Sequence, residues 1–417
     1  MTKIVIIGAG YGGLLAALGL SARGGSAFGG EKNRKDISIT LIDKHDYQLF
    51  ATNLYEVATA DEEMTSMKQL KKSIAVPVKD IFKGKKVEFL KAEVTEINQQ
   101  QKTVSMHLQK IEYDYLIVAT GSQSDFFGIE GAEKFALPLK NLKDAFFIRN
   151  QIEFAVQQHR LDVNKKNLRI IVAGGGYTGV EFAGELPHFL DIVAWKNNYP
   201  RQKIEVTVVE AQNSLIPGLS ERMSRDALMR LQDLMVRVQL SSFISKIDRN
   251  FLELTTGEKM EYDVLVWTTG VKAATLPFVQ EMNKDKKGRV IVNEFLQVAD
   301  HQEIFLAGDS GSINNIDGRP APPTAQDAIA HGKYIAYALP LIINNIKPKP
   351  YQGKKHGFIV SIGGKWAILN YAGFYFTGWP AYFIRQMANM RYFASVVGWW
   401  KAFRLAVFDS EMYSRND

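Results

Sequence analysis

One stretch near the N-terminus decides the fold: Ile4-Val5-Ile6-Ile7-Gly8-Ala9-Gly10-Tyr11-Gly12-Gly13. Its β-branched run predicts a buried strand, and the glycines that follow predict a tight turn into a helix. In such a turn the backbone can approach a pyrophosphate, which then lies against the free N–H groups and positive end of the helix. One Gly-x-Gly-x-x-Gly is a weak signal, because it is often only a strand-to-helix turn.

The pattern occurs a second time in this chain. Gly174-Gly175-Gly176-Tyr177-Thr178-Gly179 follows the apolar run Leu168-Arg169-Ile170-Ile171-Val172-Ala173. Two such turns, each with a strand before it and a helix after it, predict two bound dinucleotides. The simplest pair is a flavin and a nicotinamide, and that pair indicates electron transfer.

Composition limits the class of protein. The 417 residues are 46% hydrophobic and 23% charged, which is ordinary for a soluble globular chain of two or three domains. Cysteine is absent from the sequence, which excludes a disulfide framework, an iron–sulfur cluster and a redox-active dithiol, and fits a reducing compartment. We expect no signal peptide, because the first strand begins at once, and we predict no metal site.

The two halves of the chain share one plan. In 1–120 we predict strand 4–7, helix 12–22 and strand 37–42, then an antiparallel meander of 87–90, 93–97 and 102–108, and a return strand 113–119. In 168–270 we predict strand 168–173, helix 177–192, strand 204–209 and a return strand 262–267. Both return strands begin with Tyr-Asp and end in Thr-Gly, which indicates a duplicated module.

The predicted fold class is α/β. It has two Rossmann-like dinucleotide-binding domains, the second inserted in the first, and a C-terminal α+β membrane-anchoring region. The predicted domains are an FAD-binding domain of 1–120 and 300–345, an NADH-binding domain of 160–275, and an amphipathic region of 350–417.

Three acidic residues follow predicted strands where a ribose or ribityl chain would lie. Asp43 and Glu210 end the second strand of each module and can accept hydrogen bonds from an adenosine ribose. A carboxylate at Glu210 repels a 2′-phosphate, so the second site favours NADH over NADPH. Asp309, after Phe305-Leu306-Ala307-Gly308, can meet the ribityl chain of a flavin. The alternative for Asp43 and Asp309 is a solvated turn.

Taken together, these residues resemble the two-dinucleotide-binding-domain flavoproteins, and among them the type II NADH:quinone oxidoreductases. The likeness covers nearly the whole chain. Its most specific segments are Gly8–Gly13, Leu54-Tyr55-Glu56-Val57-Ala58, the run from Tyr177 to Leu186, and the run from Arg319 to Ala328.

The resemblance implies a set of site residues. Glu181 would lie between the nicotinamide pocket and the isoalloxazine, although on sequence alone it would be a helix-dipole glutamate. Gln326 would border the quinone slot, and both are the predicted catalytic residues. The predicted FAD contacts are Gly8, Ala9, Gly10, Tyr11, Gly12, Gly13, Asp43, Lys44, Val94, Ala119, Thr120, Gly121, Asp309, Thr324, Ala325, Gln326 and Ala328. The predicted NADH contacts are Gly174, Gly176, Gly179, Glu181, Glu210, Thr269 and Gly270.

The chain departs from the family at the quinone signature, usually Ala-Gln-x-Ala-x-Gln. Here Ala330 stands at the last position, with His331 next. His331 either replaces the missing amide as a donor to a quinone carbonyl or is a histidine on the helix surface.

The C-terminal region combines aromatic residues with positive charge. Residues 331–417 contain 11 Lys and Arg against three Asp and Glu, a net charge of +8, whereas the whole chain carries +7. From Pro380 a helical pattern places Phe383, Met387, Met390, Ala394 and Val397 on one face, with Arg385, Gln386 and Asn389 away from it. We interpret this as an interfacial helix on anionic lipid. The alternative is a dimer interface or core packing. The uncharged run 366–384 is interpreted as strands and a turn.

The sequence therefore predicts a peripheral FAD-dependent enzyme that passes electrons from NADH to a membrane quinone, menaquinone or ubiquinone, without proton pumping. We expect it on the cytoplasmic face of the cell membrane, as a homodimer that does not bind nucleic acid. Sulfide:quinone oxidoreductases and disulfide reductases need cysteines and are excluded. A soluble ferredoxin-reductase-like diaphorase and a redox-sensing flavoprotein remain as alternatives.

Overall fold

The structure, a computed structural model, describes residues 1–23, 36–60, 74–162, 167–316, 318–353 and 357–403. The chain forms two compact units. Unit 1 contains Met1–Leu49, Ala75–Gln123 and Val271–His356, and unit 2 contains Phe50–Ile74, Ser124–Gly270 and Gly357–Asp417. These units group residues by packing and do not follow the predicted domain ranges one to one, so those ranges stay a prediction.

The α-helices that lie wholly within the described residues are numbered in chain order. They are α1 (Tyr11–Arg23), α2 (Leu54–Ala58), α3 (Val78–Ile81), α4 (Ala132–Phe135), α5 (Leu142–Leu161), α6 (Tyr177–Lys196), α7 (Glu221–Asp233), α8 (Ala325–Ile343) and α9 (Trp379–Val397). Side-chain caps begin three of them: Asn141 caps α5, Ser220 caps α7 and Thr324 caps α8.

A six-stranded sheet forms the centre of unit 1. Its strand order is Gln297–Val298, His301–Leu306, Tyr115–Val118, Thr2–Ile7, Ile37–Asp43 and Glu88–Lys91. All neighbours are parallel except Gln297–Val298, which is antiparallel to His301–Leu306. The strand Ile4–Ile7 is apolar throughout because a parallel sheet is covered on both faces.

The meander of unit 1 differs from the sequence-based prediction in one strand. Its antiparallel strands are Val94–Asn98, Thr103–Met106 and Gln109–Glu112. The predicted member 87–90 is wrong, because Glu88–Lys91 pairs in parallel with Thr40–Asp43 in the central sheet. Unit 1 also contains the pairs Tyr47–Leu49 with Ala75–Pro77 and Val290–Ile291 with Gly311–Ser312.

Helices α1 and α8 pack closely because small residues line their contact. A Cβ atom at Gly19 would lie 2.5 Å from the Cβ of Ala336, and one at Gly332 would lie 2.2 Å from the carbonyl oxygen of Gly12. No larger side chain fits at these crossings. The close packing places the start of α8 beside the first glycine turn.

Unit 2 repeats the parallel arrangement around the second glycine turn. Its five-stranded sheet has the order Leu137–Pro138, Val264–Trp267, Leu168–Ala173, Ile204–Val209 and Arg237–Gln239, all in parallel. An antiparallel sheet of Ile244–Ile247, Phe251–Leu254 and Lys259–Glu261 packs on it. The return strand, the first strand and the second strand have the same order as in unit 1. The strands Ser122–Ser124 and Val271–Ala273 lie where the chain passes between units.

The C-terminal part of unit 2 is a three-stranded antiparallel sheet followed by α9. The strands are Phe358–Ser361, Ala367–Tyr371 and Phe374–Gly378. The uncharged run 366–384 therefore contains two strands, their turn and the beginning of α9, as its glycines and polar residues predict. Among the described residues, no helix is both long enough and apolar enough to cross a bilayer.

Candidate functional site

The first glycine turn contains glycines of two kinds. Gly8 has φ +102°, and a Cβ there would lie 2.3 Å from the carbonyl oxygen of Ala119. A Cβ at Gly13 would lie 1.9 Å from the carbonyl oxygen of Gly8, and one at Gly12 would lie 3.0 Å from the Cβ of Ala307. At Gly10, by contrast, no atom lies within 4 Å of the Cβ position. The protein itself requires glycine at the outer positions, whereas Gly10 faces open space.

The second turn has the same division. Gly174 has φ +106°, and a Cβ at Gly179 would lie 1.9 Å from the carbonyl oxygen of Gly174. Gly176 has φ −73°, which any residue adopts, and its Cβ position has no atom within 4 Å. An open position above the N-terminus of α6 is where a pyrophosphate would need a bare backbone. Both turns therefore fit a dinucleotide.

A carboxylate holds each glycine turn. The Asp43 carboxylate accepts the N–H of Ala9 at 2.7 Å and that of His45 at 2.7 Å. Glu210, which is 7% exposed, accepts the N–H of Gly175 at 2.5 Å and that of Gln212 at 2.8 Å. The two acidic residues thus occupy equivalent positions and are not in solvated turns. Lys44, which follows Asp43 in the chain, is exposed.

The two Thr-Gly pairs after the return strands also match each other. Gly121 and Gly270 both have positive φ, +70° and +53°. Within the described residues, the buried hydroxyls of Thr120 and Thr269 have no hydrogen-bond partner. Such hydroxyls usually have a partner, and a bound cofactor would supply one at each turn. Ala119, before the first pair, is buried under Gly8.

Asp309 lies in a turn that Gly308 begins. The Ser122 hydroxyl donates to Asp309 Oδ2 at 2.5 Å, and Gly308 has φ +69°. The N–H of Gly308 donates to Nδ1 of His331 at 3.1 Å, and His331 is only 2% exposed. The surface position considered for His331 is therefore wrong. Its ring is buried because it packs edge-on against Tyr351 and fixes the backbone before Asp309.

The beginning of α8 brings the predicted flavin and quinone residues of unit 1 together. Thr324 accepts the N–H of Asp327 at 3.1 Å and caps the helix. Ala325 is partly exposed and Gln326 is exposed in the first turn. Ala328 packs under the turns: its Cβ is 3.3 Å from the Cβ position of Gly308, and its carbonyl oxygen is 3.3 Å from the Cβ position of Gly12. Val94, in the meander, packs against the core of unit 1.

Glu181 lies in α6, one turn after the second glycine turn, among buried charges of unit 2. Burial raises its pKa to about 8, although Arg385 and the N–H of Ser361 lower it, and Glu56 raises it further. Burial is the largest of these influences, and the tertiary partners modify it. A carboxyl group that titrates near neutral pH and is partly exposed is suited to exchange a proton with a ligand.

Sequence reasoning missed the partners of Glu181. The helical pattern predicts Arg385 on the polar side of α9, away from the apolar residues. The structure places Arg385 on that opposite side, but the side faces the protein: Arg385 is 6% exposed and its Nη1 lies 3.3 Å from Glu56 Oε1. Glu56 lies in the segment Leu54–Ala58, which the resemblance had singled out. Among the described residues, no group of three or more His, Cys, Asp or Glu could hold a metal ion.

The comparisons with known proteins agree with this geometry. A type II NADH:quinone oxidoreductase of Staphylococcus haemolyticus is 28% identical over 412 residues, which cover 97% of this chain and 98% of the relative. One from Staphylococcus aureus strain NCTC 8325 is 29% identical with the same coverage. The resemblance seen in the sequence motifs is confirmed.

Solved structures share the fold. NDH2 from Plasmodium falciparum in complex with NADH has a TM-score of 0.84 at 18% identity, covering 99% of both chains. The sulfide:quinone oxidoreductase of Aquifex aeolicus has a TM-score of 0.75 at 20% identity, covering 95% of this chain and 92% of that one. Residues 2–332, most of the chain, match the family described as pyridine nucleotide-disulphide oxidoreductase. The chain therefore belongs to the pyridine nucleotide-disulphide oxidoreductase family.

Proposed function

We propose that the chain is an FAD-dependent NADH:quinone oxidoreductase that works as a peripheral protein on the cytoplasmic face of a membrane, without proton pumping. The observation that carries the proposal is the pair of equivalent glycine turns, each with an open central glycine and a bound carboxylate. The curated relatives that span the chain have this activity in their names. Disulfide chemistry needs cysteines, and the sequence contains none.

Residues of unit 1 would hold FAD. The turn N–H groups and the N-terminus of α1 would bind its pyrophosphate, and Asp43 has lone pairs left for a ribose hydroxyl. Asp309 would bind the ribityl chain. Bound FAD supplies the hydride acceptor and the electron donor of the reaction. The remaining proposed contacts are Lys44, Val94, Ala119, Thr120, Gly121, Thr324, Ala325, Gln326 and Ala328.

Residues of unit 2 would hold NADH. The second turn would bind the pyrophosphate through Gly174, Gly176 and Gly179, and Thr269 and Gly270 would approach the nicotinamide half. The Glu210 carboxylate would accept the ribose hydroxyls. It would repel the 2′-phosphate of NADPH, because a second negative charge beside a buried carboxylate is unfavourable.

Quinone reduction needs a proton besides the electrons that NADH supplies. NADH gives a hydride, which is two electrons and one proton, whereas a quinol forms from a quinone with two electrons and two protons. We assign Glu181 to exchange the second proton with solvent, since its pKa of about 8 keeps both forms populated near neutral pH. Gln326, exposed in the first turn of α8, would donate an amide N–H to a quinone carbonyl.

The membrane part of the proposal rests on an exposed apolar surface. Trp379, Phe383 and Met387 are more than half exposed on α9, and Phe374 is exposed on the strand before it. Trp379 stacks on Phe383 with ring centroids 5.7 Å apart. Adjacent exposed aromatic side chains in the part of the sequence with net charge +8 suit the interface of an anionic bilayer. A homodimer through the same surface is the second candidate.

The activity is tested by titrating the purified protein. We expect a yellow protein whose flavin absorbance is bleached by NADH and restored by a menaquinone or ubiquinone analogue, with rapid turnover when both are present. Reoxidation by ferredoxin or a soluble dye but not by quinones would favour the diaphorase alternative. Bleaching without turnover would favour a redox sensor.

Membrane binding is tested by sedimentation with vesicles. We expect binding to anionic vesicles that weakens with salt, and loss of binding in Phe383→Ser/Met387→Ser. Leu108→Ser, which removes an exposed apolar side chain in unit 1, is the matched control. If the double variant binds vesicles as the wild type does but changes a dimer to a monomer in light scattering, the surface is a dimer interface.

A further inference from the structure

A buried ion pair joins α9 to α2. Arg385 of α9 contacts Glu56 of α2 at 3.3 Å through Nη1 and the Asn53 side-chain oxygen at 3.2 Å through Nη2. Glu56 is 8% exposed, so neither charge is well solvated. The guanidinium also lies over the ring of Tyr55, with Cζ 5.6 Å from its centroid.

Glu56 is surrounded by donors. Besides Arg385, the Asn53 side-chain amide donates to Oε2 at 2.8 Å and the Tyr55 hydroxyl donates to Oε1 at 3.1 Å. Three donors on one carboxylate favour its charged form. Glu56 therefore forms an ion pair with Arg385, and its negative charge repels a second carboxylate nearby.

That second carboxylate is Glu181. It accepts the backbone N–H of Ser361 and interacts electrostatically with both Arg385 and Glu56. Among the described residues, the other titratable groups that face this cluster are Tyr55 of α2, Tyr177 and Glu185 of α6, and Tyr382 of α9. Burial alone would lower the pKa of Arg385, but the groups around it raise that pKa above its ordinary value, so the guanidinium stays charged. One fixed cation thus faces two carboxylates.

We propose that Arg385 is a positioning residue. It lies against Glu56 and near Glu181, and it controls the charge of Glu181. That charge therefore depends on the packing of α9 against α2. A helix α9 that lifts from α2 takes the cation with it and leaves two carboxylates facing each other. The opposite side of α9 carries the exposed Trp379, Phe383 and Met387. The helix with the proposed lipid contacts is therefore also the helix that sets the charge of Glu181.

This inference rests on the proposed function only for the importance of Glu181, so its test does not use turnover. The carboxyl C=O infrared band of Glu181 reports its protonation, and Glu181→Gln identifies the band by removing it. The experiment is to titrate this band with pH in the full-length holoprotein and to determine the pH at its midpoint. A protein that fails to reduce quinones would still give this titration, so the two proposals can fail separately.

The expected shifts have opposite signs in two single variants. Arg385→Met removes the attracting cation, so the Glu181 midpoint should rise by about 1 pH unit or more. Glu56→Gln removes the repelling charge and should lower the midpoint. Arg385→Lys should stay near the wild-type midpoint, and Arg385→Met/Glu56→Gln should lie between the single variants. Arg391→Met removes an exposed cation from the same helix and should leave the midpoint unchanged.

If Arg385→Met does not fold, Glu56→Gln and the neutral double variant decide the matter. Glu56→Gln leaves Glu181 as a counter-ion of Arg385, and the double variant removes both members of the buried ion pair. A Glu181 midpoint that is the same in the wild type, Glu56→Gln and the folded Arg385 variants would overturn the proposal. A shift in Arg391→Met equal to that in Arg385→Met would also overturn it, because the effect would then be one of net charge and not of position.

Discussion

Replacing either Gly176 or Gly179 of the second turn by alanine separates ligand binding from folding. In Gly176→Ala the added methyl points into open space, with no protein atom within 4 Å. In Gly179→Ala it would lie 1.9 Å from the carbonyl oxygen of Gly174 and 2.7 Å from the hydroxyl of Thr268. The chemical change is the same, and the two sites are three residues apart.

The effects on stability differ in size. Gly176 has φ −73° and ψ −171°, so alanine fits its backbone and gains about 0.4–1 kcal/mol from a less flexible unfolded chain. It is also the N-cap of α6, where alanine is less favourable than glycine by a similar amount. The two terms nearly cancel. At Gly179 backbone must move by about 1 Å, and such overpacking costs about 1–3 kcal/mol or more.

If the second turn holds the pyrophosphate, Gly176→Ala, which hardly changes stability, should weaken NADH binding. A methyl at Gly176 occupies the space above the N-terminus of α6, so NADH should bind at least about tenfold more weakly, which is about 1.4 kcal/mol. The assay combines urea unfolding with NADH binding followed by flavin bleaching, and FAD content is the control. Wild-type NADH affinity in Gly176→Ala would refute the assignment of this turn. Equal loss of stability in both variants would refute the steric argument.

Three more variants test the other contacts. Glu210→Ser/Ala211→Arg should lower the NADH-to-NADPH ratio of kcat/KM by about tenfold or more, since the repelling carboxylate is replaced by a cation; an unchanged ratio would contradict the role of Glu210. Because the folded chain keeps Glu181 protonated up to a pKa of about 8 while the unfolded chain releases that proton above about 4.5, the wild type should lose up to about 1.4 kcal/mol per pH unit in that window relative to Glu181→Gln. Urea unfolding at several pH values measures this, and parallel pH dependences would refute it. His331→Leu leaves the N–H of Gly308 without its acceptor and should cost about 1–3 kcal/mol of stability, whereas the exposed His107→Leu should be neutral within about 0.5 kcal/mol.

Local features of the site could be predicted from the sequence because each is encoded within a few residues. A glycine turn, its preceding strand and the helix after it are contiguous, and the strand order Ile204–Val209 beside Leu168–Ala173 follows from the βαβ connection. The carboxylates Asp43 and Glu210 end the neighbouring strands and so reach the turns. The strand Glu88–Lys91 was misassigned because its pairing with Ile37–Asp43 is not visible in its own pattern.

The charged cluster could not be predicted because its members are far apart in the chain. Arg385 and Glu56 are separated by 329 positions. The periodicity of α9 places Arg385 opposite Phe383 and Met387, but that opposite side is buried and also carries Ala381, Phe393 and Val396. Periodicity alone does not show whether such a side faces water or a buried carboxylate. The surface alternative for His331 is wrong for a related reason, because periodicity does not show that its Nδ1 accepts the N–H of Gly308.

A close approach of two backbones connects α6 to the C-terminal sheet. A Cβ at Gly184, one turn after Glu181, would lie 2.8 Å from the N atom of Gly363. Arg230 of α7 binds the backbone at the same position, since its guanidinium donates to the carbonyls of Ile362 and Gly363, each at 3.0 Å. The strand Phe358–Ser361 is therefore pressed against α6, which is why the N–H of Ser361 reaches Glu181. Glycine at position 184 thus has the same function in unit 2 as Gly19 has in unit 1: it allows a late segment of the chain to pack closely on the helix that follows a glycine turn.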